Sequence, residues 1–211
     1  MNRTTIDLGT FNANCSILSE GARALLVDPG ADAPRLAALL AHEGLEPLAI
    51  LLTHAHFDHI GAVAGLQRAF SRLPVFVGRD DVPLLSHPLT QFPPDYPPVE
   101  AITNVKDAAE AGSCLAALGW RTRIETIDTP GHTPGGVCYL FSTPGEAPLL
   151  LSGDPLFCGS IGRTDFPGGS LPTLRASLAK LTALPGETVV VPGHGCETTI
   201  ARERATNPFL V

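Results

Sequence analysis

"LLTHAHFDHIGAV", residues 51–63, decides the reading of this chain. Three of its seven histidines, His54, His56 and His59, stand with Asp58 in six residues, directly after an apolar run. "LAILLTH" reads as a fully apolar strand ending on His54. In extended chain, residues two apart point to the same side, about 7 Å apart at Cα. His54 and His56 can therefore converge on one cation, and neutral imidazole is a good ligand for zinc or iron. "DHIGAVAGLQRAF" has helical period. Asp58 and His59 sit where the chain turns into that helix, face another way, and are expected to serve a second cation. Two plainer readings stand beside this one: Asp58 as a helix N-cap, and the three histidines as a pH switch.

Working outward, three further apolar runs end on a ligand-type residue just past a strand. "IETIDTPGH" delivers His132, "LLLSGD" delivers Asp154 and "TVVVPGH" delivers His194. Strand ends gather at one edge of a sheet, where polar groups can be exposed without disturbing the core. A carboxylate can bridge two cations, so Asp154 is the natural shared ligand. The expected sets are His54, His56, His132 and Asp154 for one ion, and Asp58, His59, His194 and Asp154 for the other. Each leaves room for water, as a catalytic site requires. His42 and His87 lack such context and read as surface or loop residues.

"CSIL", "RALLVDPG", "LPVFVG", "GGVCYLFST" and "APLLLSGD" also read as strands, and "DAPRLAALLAHEG" and "LPTLRASLAKLTAL" as helices. Asp32 is the candidate N-cap of the first helix, and Gly44 lies near its C-cap. This alternation indicates a layered α/β or α+β fold. "PLTQFPPDYPPV", residues 88–99, carries five prolines and cannot be helix or central strand. It reads as a stiff loop that can lie over a site, with Phe92 and Tyr96 as an apolar wall.

The 211 residues suffice for a real core, and 44% hydrophobic against 17% charged content marks a globular chain. A net charge of −7 disfavours a nucleic-acid phosphate binder. No run approaches the ~20 apolar residues of a membrane span, and "MNRTTIDLGTFNANC" has no signal-peptide core. Five cysteines without a C-x-x-C fit a reducing cytoplasm better than a disulfide framework.

"THAHFDH" resembles the H-x-H-x-D-H signature of the metallo-β-lactamase-fold hydrolases, and "TPGHTPG", "SGD" and "PGHG" resemble that fold's later ligand motifs, in order. The resemblance implies a four-layer αββα sandwich, two mixed sheets flanked by helices, with a dinuclear site at one sheet edge. It implies His54, His56, Asp58, His59, His132, Asp154 and His194 as ligands of two divalent ions, zinc first and iron or manganese next. "SGDPLFCGSIGRTDFPGG" is most similar to the glyoxalase II-like group. That group implies a thioesterase cleaving S-acylglutathione-type thioesters, such as S-lactoylglutathione, with a hydroxide between the two ions and Asp58 taking its proton. Arg163 falls where that group places a substrate-binding basic residue; a turn arginine paired with Asp165 is the other reading.

The chain stops seventeen residues after His194, so one domain over residues 1–211 is expected, without the group's C-terminal helical domain. Arg202 and Arg204 can substitute for its basic residues or simply lie on a helix surface. "GRTDF" is also similar to persulfide dioxygenases of this fold, which hold one iron on the counterparts of His54, His132 and Asp154. The expected partner is a small-molecule thioester, with neither nucleic acid nor membrane; a homodimer is the one self-assembly left open.

Overall fold

The computed structural model describes residues 1–71, 73–86 and 99–210. Most of the proline-rich 88–99 segment, with Phe92 and Tyr96, and also His87, lie outside the described residues. Two sheets carry the fold. The first has six strands in chain order: β1 (Asn2–Leu8), β2 (Ala13–Glu20), β3 (Arg23–Val27), β4 (Glu46–Leu51), β5 (Val75–Val77) and β6 (Val105–Asp107). β1 to β3 pair antiparallel, and β3 to β6 pair parallel. The second contains β7 (Arg123–Asp128), β8 (Val137–Ser142), β9 (Leu149–Gly153), β12 (Val189–Pro192) and β13 (Thr198–Thr199), ordered β13-β12-β9-β8-β7. A small hairpin, β10 (Leu156–Phe157) and β11 (Ser160–Ile161), follows β9.

Alternation along the strands builds the layers, because successive side chains face opposite sides. Leu18, Leu25, Leu51 and Phe76 of the first sheet meet Tyr139, Phe141, Leu151 and Val191 of the second in a core between the sheets. On the outer face of the first sheet, Leu26, Ile50 and Val75 pack on Leu36 and Leu40 of α1 (Ala33–His42) and on Val63 and Leu66 of α3 (Val63–Ala69). On the outer face of the second, Cys138, Leu150 and Val190 pack on Leu174, Leu178 and Leu181 of α5 (Leu171–Thr182), and Ile200 of α6 (Ile200–Thr206) joins them. The result is the expected αββα sandwich, with α4 (Ala111–Ala117) closing one end of the central core through Ala111 and Leu115.

Asp32 caps α1 as expected, accepting from Arg35 N at 3.2 Å. The helix expected over "DHIGAVAGLQRAF" is instead broken into α2 (Phe57–Ile60) and α3. The Ala62 N–H leaves the helical ladder to donate to Pro29 O at 3.0 Å. That tie anchors the histidine-bearing turn to the end of β3. Asp58 lies in the first turn of α2, and His56 holds the N-cap position.

Candidate metal centre

All seven expected ligand residues converge at one edge of the sandwich. His54 and His56 follow β4, His132 sits between β7 and β8, Asp154 follows β9, and His194 follows β12. Asp154 is central: its Oδ2 lies 4.0 Å from His54 Nε2, 3.5 Å from His132 Nε2 and 3.6 Å from His194 Nε2, and its Oδ1 lies 3.5 Å from His59 Nε2. Around it the donor atoms of His54, His56 and His132 lie within 4.8 Å of one another, as do those of Asp58, His59 and His194.

Two glycines let Asp154 come this close. Gly153, immediately before it, has φ +60, which an L side chain rarely adopts. At Gly193, any Cβ would strike the Asp154 carboxylate and the His59 ring. The glycine of the "PGH" turn is therefore needed for space as well as for the turn.

The imidazoles are held by their outward nitrogens. His132 Nδ1 donates to Arg163 O at 2.7 Å and His194 Nδ1 to Phe11 O at 3.1 Å, since a carbonyl only accepts. His59 Nδ1 donates to Asp28 Oδ2 at 3.0 Å. Thr53 Oγ1 gives its proton to Asp28 Oδ2 at 2.6 Å and so accepts from His54 Nδ1 at 3.0 Å. Four bare Nε2 atoms thus face inward, joined by His56 Nδ1, which lies 2.9 Å from His132 Nε2.

This arrangement fits a divalent cation. His54 Nε2 and Asp154 Oδ1 are buried with no hydrogen-bond partner among the described residues, an arrangement that costs free energy unless something positive binds them. His59 Nε2 and His194 Nε2 face each other at 3.4 Å with both Nδ1 atoms already committed, so either a proton or a metal ion must sit on that side of the pair. Burial, followed by the neighbouring histidines, pushes His54 well below its ordinary value. Burial and then His132 push His56 down to about 3. Both are neutral, the form that ligates metal. Burial opposes charge on His59 too, but Asp154, Asp58 and Asp28 outweigh it and push the ring up to about 10. Those carboxylates demand positive charge at that end of the site. Asp58 stays ionised far below the usual carboxylate range: burial works against this, and His59 and His194 overcome it.

Two carboxylates that matter here were absent from the expected set. Asp28 also lies within ligand distance of His54 and His59. Its oxygens, however, are taken by Thr53 N at 2.7 Å, Thr53 Oγ1 and His59 Nδ1, so it orients ligands. Buried Asp81 accepts from Ala55 N at 3.0 Å and from Gly135 N at 2.6 Å, tying the His54–His56 turn to the His132 turn. A signal for Asp28 existed: in "LLVDPG" it ends an apolar strand just as His54 and Asp154 do.

A cavity of about 440 Å³ opens over the centre. His56, Asp58, His132, Asp154 and His194 line its polar side, and Phe11, Phe57, Phe157, Ile161 and Phe166 its apolar side. Arg163 reaches the rim, where its guanidinium pairs with Asp165. Arg202 and Arg204 lie on α6, and Arg204 donates to Leu184 O.

Residues 8–194 match the model of the metallo-beta-lactamase superfamily. The chain belongs to this superfamily. Among relatives, it is 38% identical to the probable metallo-hydrolase YqgX of Bacillus subtilis, over 96% of this chain and 94% of that one. It is 33% identical to the hydroxyacylglutathione hydrolase GloC of Haemophilus influenzae, over 100% and 98%. Among solved structures, the BLEG-1 B3 metallo-beta-lactamase superposes with TM-score 0.84 at 36% identity, covering 99% of both chains. TTHA1623 in a di-iron-bound form gives 0.78 at 40%, covering 98% of this chain and 100% of that one. ETHE1 from Myxococcus xanthus gives 0.73 at 25%, covering 99% and 84%. As a member of this superfamily the chain is a metallo-hydrolase, and its histidine and aspartate groups suit a divalent metal.

Proposed function

We propose that this superfamily member is a thioesterase with two divalent ions, zinc foremost, acting on S-acylglutathione-type thioesters. His54, His56 and His132 would hold one ion, Asp58, His59 and His194 the other, and Asp154 both. The observation that carries this reading is Asp154, whose two oxygens reach histidines of both sets between 3.5 and 4.0 Å. The 33% identity to GloC over nearly both full lengths supports the thioester as substrate.

Bound divalent ions would supply Lewis acidity toward the thioester carbonyl and toward water. The chain supplies the rest. Asp58, ionised and facing the cavity, accepts a hydrogen bond from the attacking water and holds its proton at a carboxylate oxygen. Asp28, Thr53, Arg163 O and Phe11 O fix the rings before substrate arrives. The aromatic wall keeps bulk water from the acyl group.

The test is an assay of purified protein of measured metal content against a thioester panel that includes S-lactoylglutathione. Hydrolysis by protein with two ions bound is expected. No hydrolysis of any member by such protein, or oxygen uptake with glutathione persulfide by protein carrying one iron, overturns the reading.

A further inference from the structure

The mouth of the cavity has an unusual charge arrangement. Arg163 is the only lysine or arginine among the described residues that line it. Its guanidinium is already engaged, with Nε donating to Asp165 Oδ1 at 2.7 Å and a terminal nitrogen to Oδ2 at 2.6 Å. Its face lies 4.0 Å over the Phe166 ring. Two-point pairing plus stacking holds the group in one geometry. Phe11 and Phe57, which also line the cavity, meet edge to face at 5.3 Å, and Phe157 and Ile161 add to its apolar lining. A substrate tail bearing carboxylates therefore meets a cation that already has a carboxylate partner in Asp165. An uncharged apolar tail meets aromatic surface, which favours it.

We propose that Asp165 sets the specificity of this site by masking Arg163, so that thioesters with an uncharged, apolar non-reacting part are preferred over those carrying carboxylates. The proposal rests on the thioesterase reading and revises its order of preference: carboxylate-bearing glutathione esters are turned over, but rank below uncharged thioesters. Asp165 touches no reacting atom; it acts through Arg163. The Arg163 contact that orients His132 is made by the backbone carbonyl, so a change at Asp165 leaves that hydrogen bond in place.

The experiment compares kcat and KM of the metal-loaded protein for S-lactoylglutathione and for S-phenylacetyl-N-acetylcysteamine, an uncharged thioester with an apolar acyl group. The natural sequence is expected to give the higher kcat/KM with the uncharged ester. In Asp165→Asn, the ratio of kcat/KM for the glutathione ester over the uncharged one should rise roughly three- to fivefold, the span of an exposed ion pair. The rise should lie in KM and should vanish at about 0.5 M salt, where screening is strong. Asp165→Glu should restore the original ratio. A loop that merely collapsed would slow both esters alike and leave the ratio flat, which overturns the proposal. So does a natural preference for the glutathione ester. Turnover of neither ester overturns the thioesterase reading and this proposal together, whereas turnover with a flat ratio overturns only the proposal.

Discussion

Asp28 shows how one side chain can govern both halves of the site. It holds His59 directly and His54 through the Thr53 hydroxyl, and it also receives the Thr53 amide. Its backbone has φ 50, unusual for a residue other than glycine, and the three donors hold it there. Asp28→Asn keeps an acceptor but loses the charge that supports His59. The expected outcome is retained folding with metal affinity lowered about 10–100-fold, the usual effect of removing a ligand's supporting carboxylate. Competition against a colorimetric chelator measures it; affinity within twofold of the natural protein would remove Asp28 from this role. The ligands themselves were legible in the sequence because each sits on a dense motif or a repeated turn. Asp28 carried a weaker signal: it too ends an apolar strand, but an aspartate before Pro-Gly is equally well explained as a turn residue until the fold places His59 beside it.

At the scale of elements, the strongly apolar strands β2 to β5 and β8, β9 and β12, and the helices α1 and α5, could be read from pattern and capping. The unread ones are short or polar. β1 alternates polar residues along a sheet edge, β6 has three residues, and both exist because a neighbour supplies their hydrogen bonds. α6 was legible only as a basic helix surface, and its buried carboxylate was missed. Glu203 accepts from Gly159 N at 2.9 Å, Thr198 Oγ1 at 2.5 Å and Asn207 Nδ2 at 2.7 Å. It thereby joins α6 to the turn of the β10–β11 hairpin, whose Phe157 and Ser160 line the cavity. Glu203→Ala strands those donors and is expected to cost about 2–4 kcal/mol of stability. Hydrogen exchange should then rise at Gly159 and Ser160 more than in α1. A uniform rise across both helices and hairpin would show general destabilisation instead.

For the whole molecule, the site depends on two sheets staying in register, since β4 carries ligands from one and β9 and β12 from the other. At the site edge the sheets are stitched by Val137 N to Thr53 O at 2.8 Å and by the Asn14 side chain to Pro192 O and Gly195 O, each at 2.9 Å. Away from the site, Glu20 at the end of β2 accepts from Arg121 N and Thr122 N, both at 2.8 Å, and from Thr122 Oγ1 at 2.5 Å, just before β7. Its side chain is only 7% exposed. Burial alone would raise the carboxyl from its ordinary 4.5, but the Thr122 hydroxyl and the two amides lower it. A lowered folded value means that the ionised form stabilises the fold. That contribution is complete above 4.5 and is lost as pH falls through the folded value. Glu20→Gln should therefore cost about 2 kcal/mol at pH 7, and the gap between the two proteins should close as pH drops below 4.5. Urea titrations at a series of pH values measure the gap, and metal release in acid is common to both proteins and cancels in the difference. A gap that stays constant through that range would mean that Glu20 joins the sheets by shape and hydrogen bonding alone, without its charge.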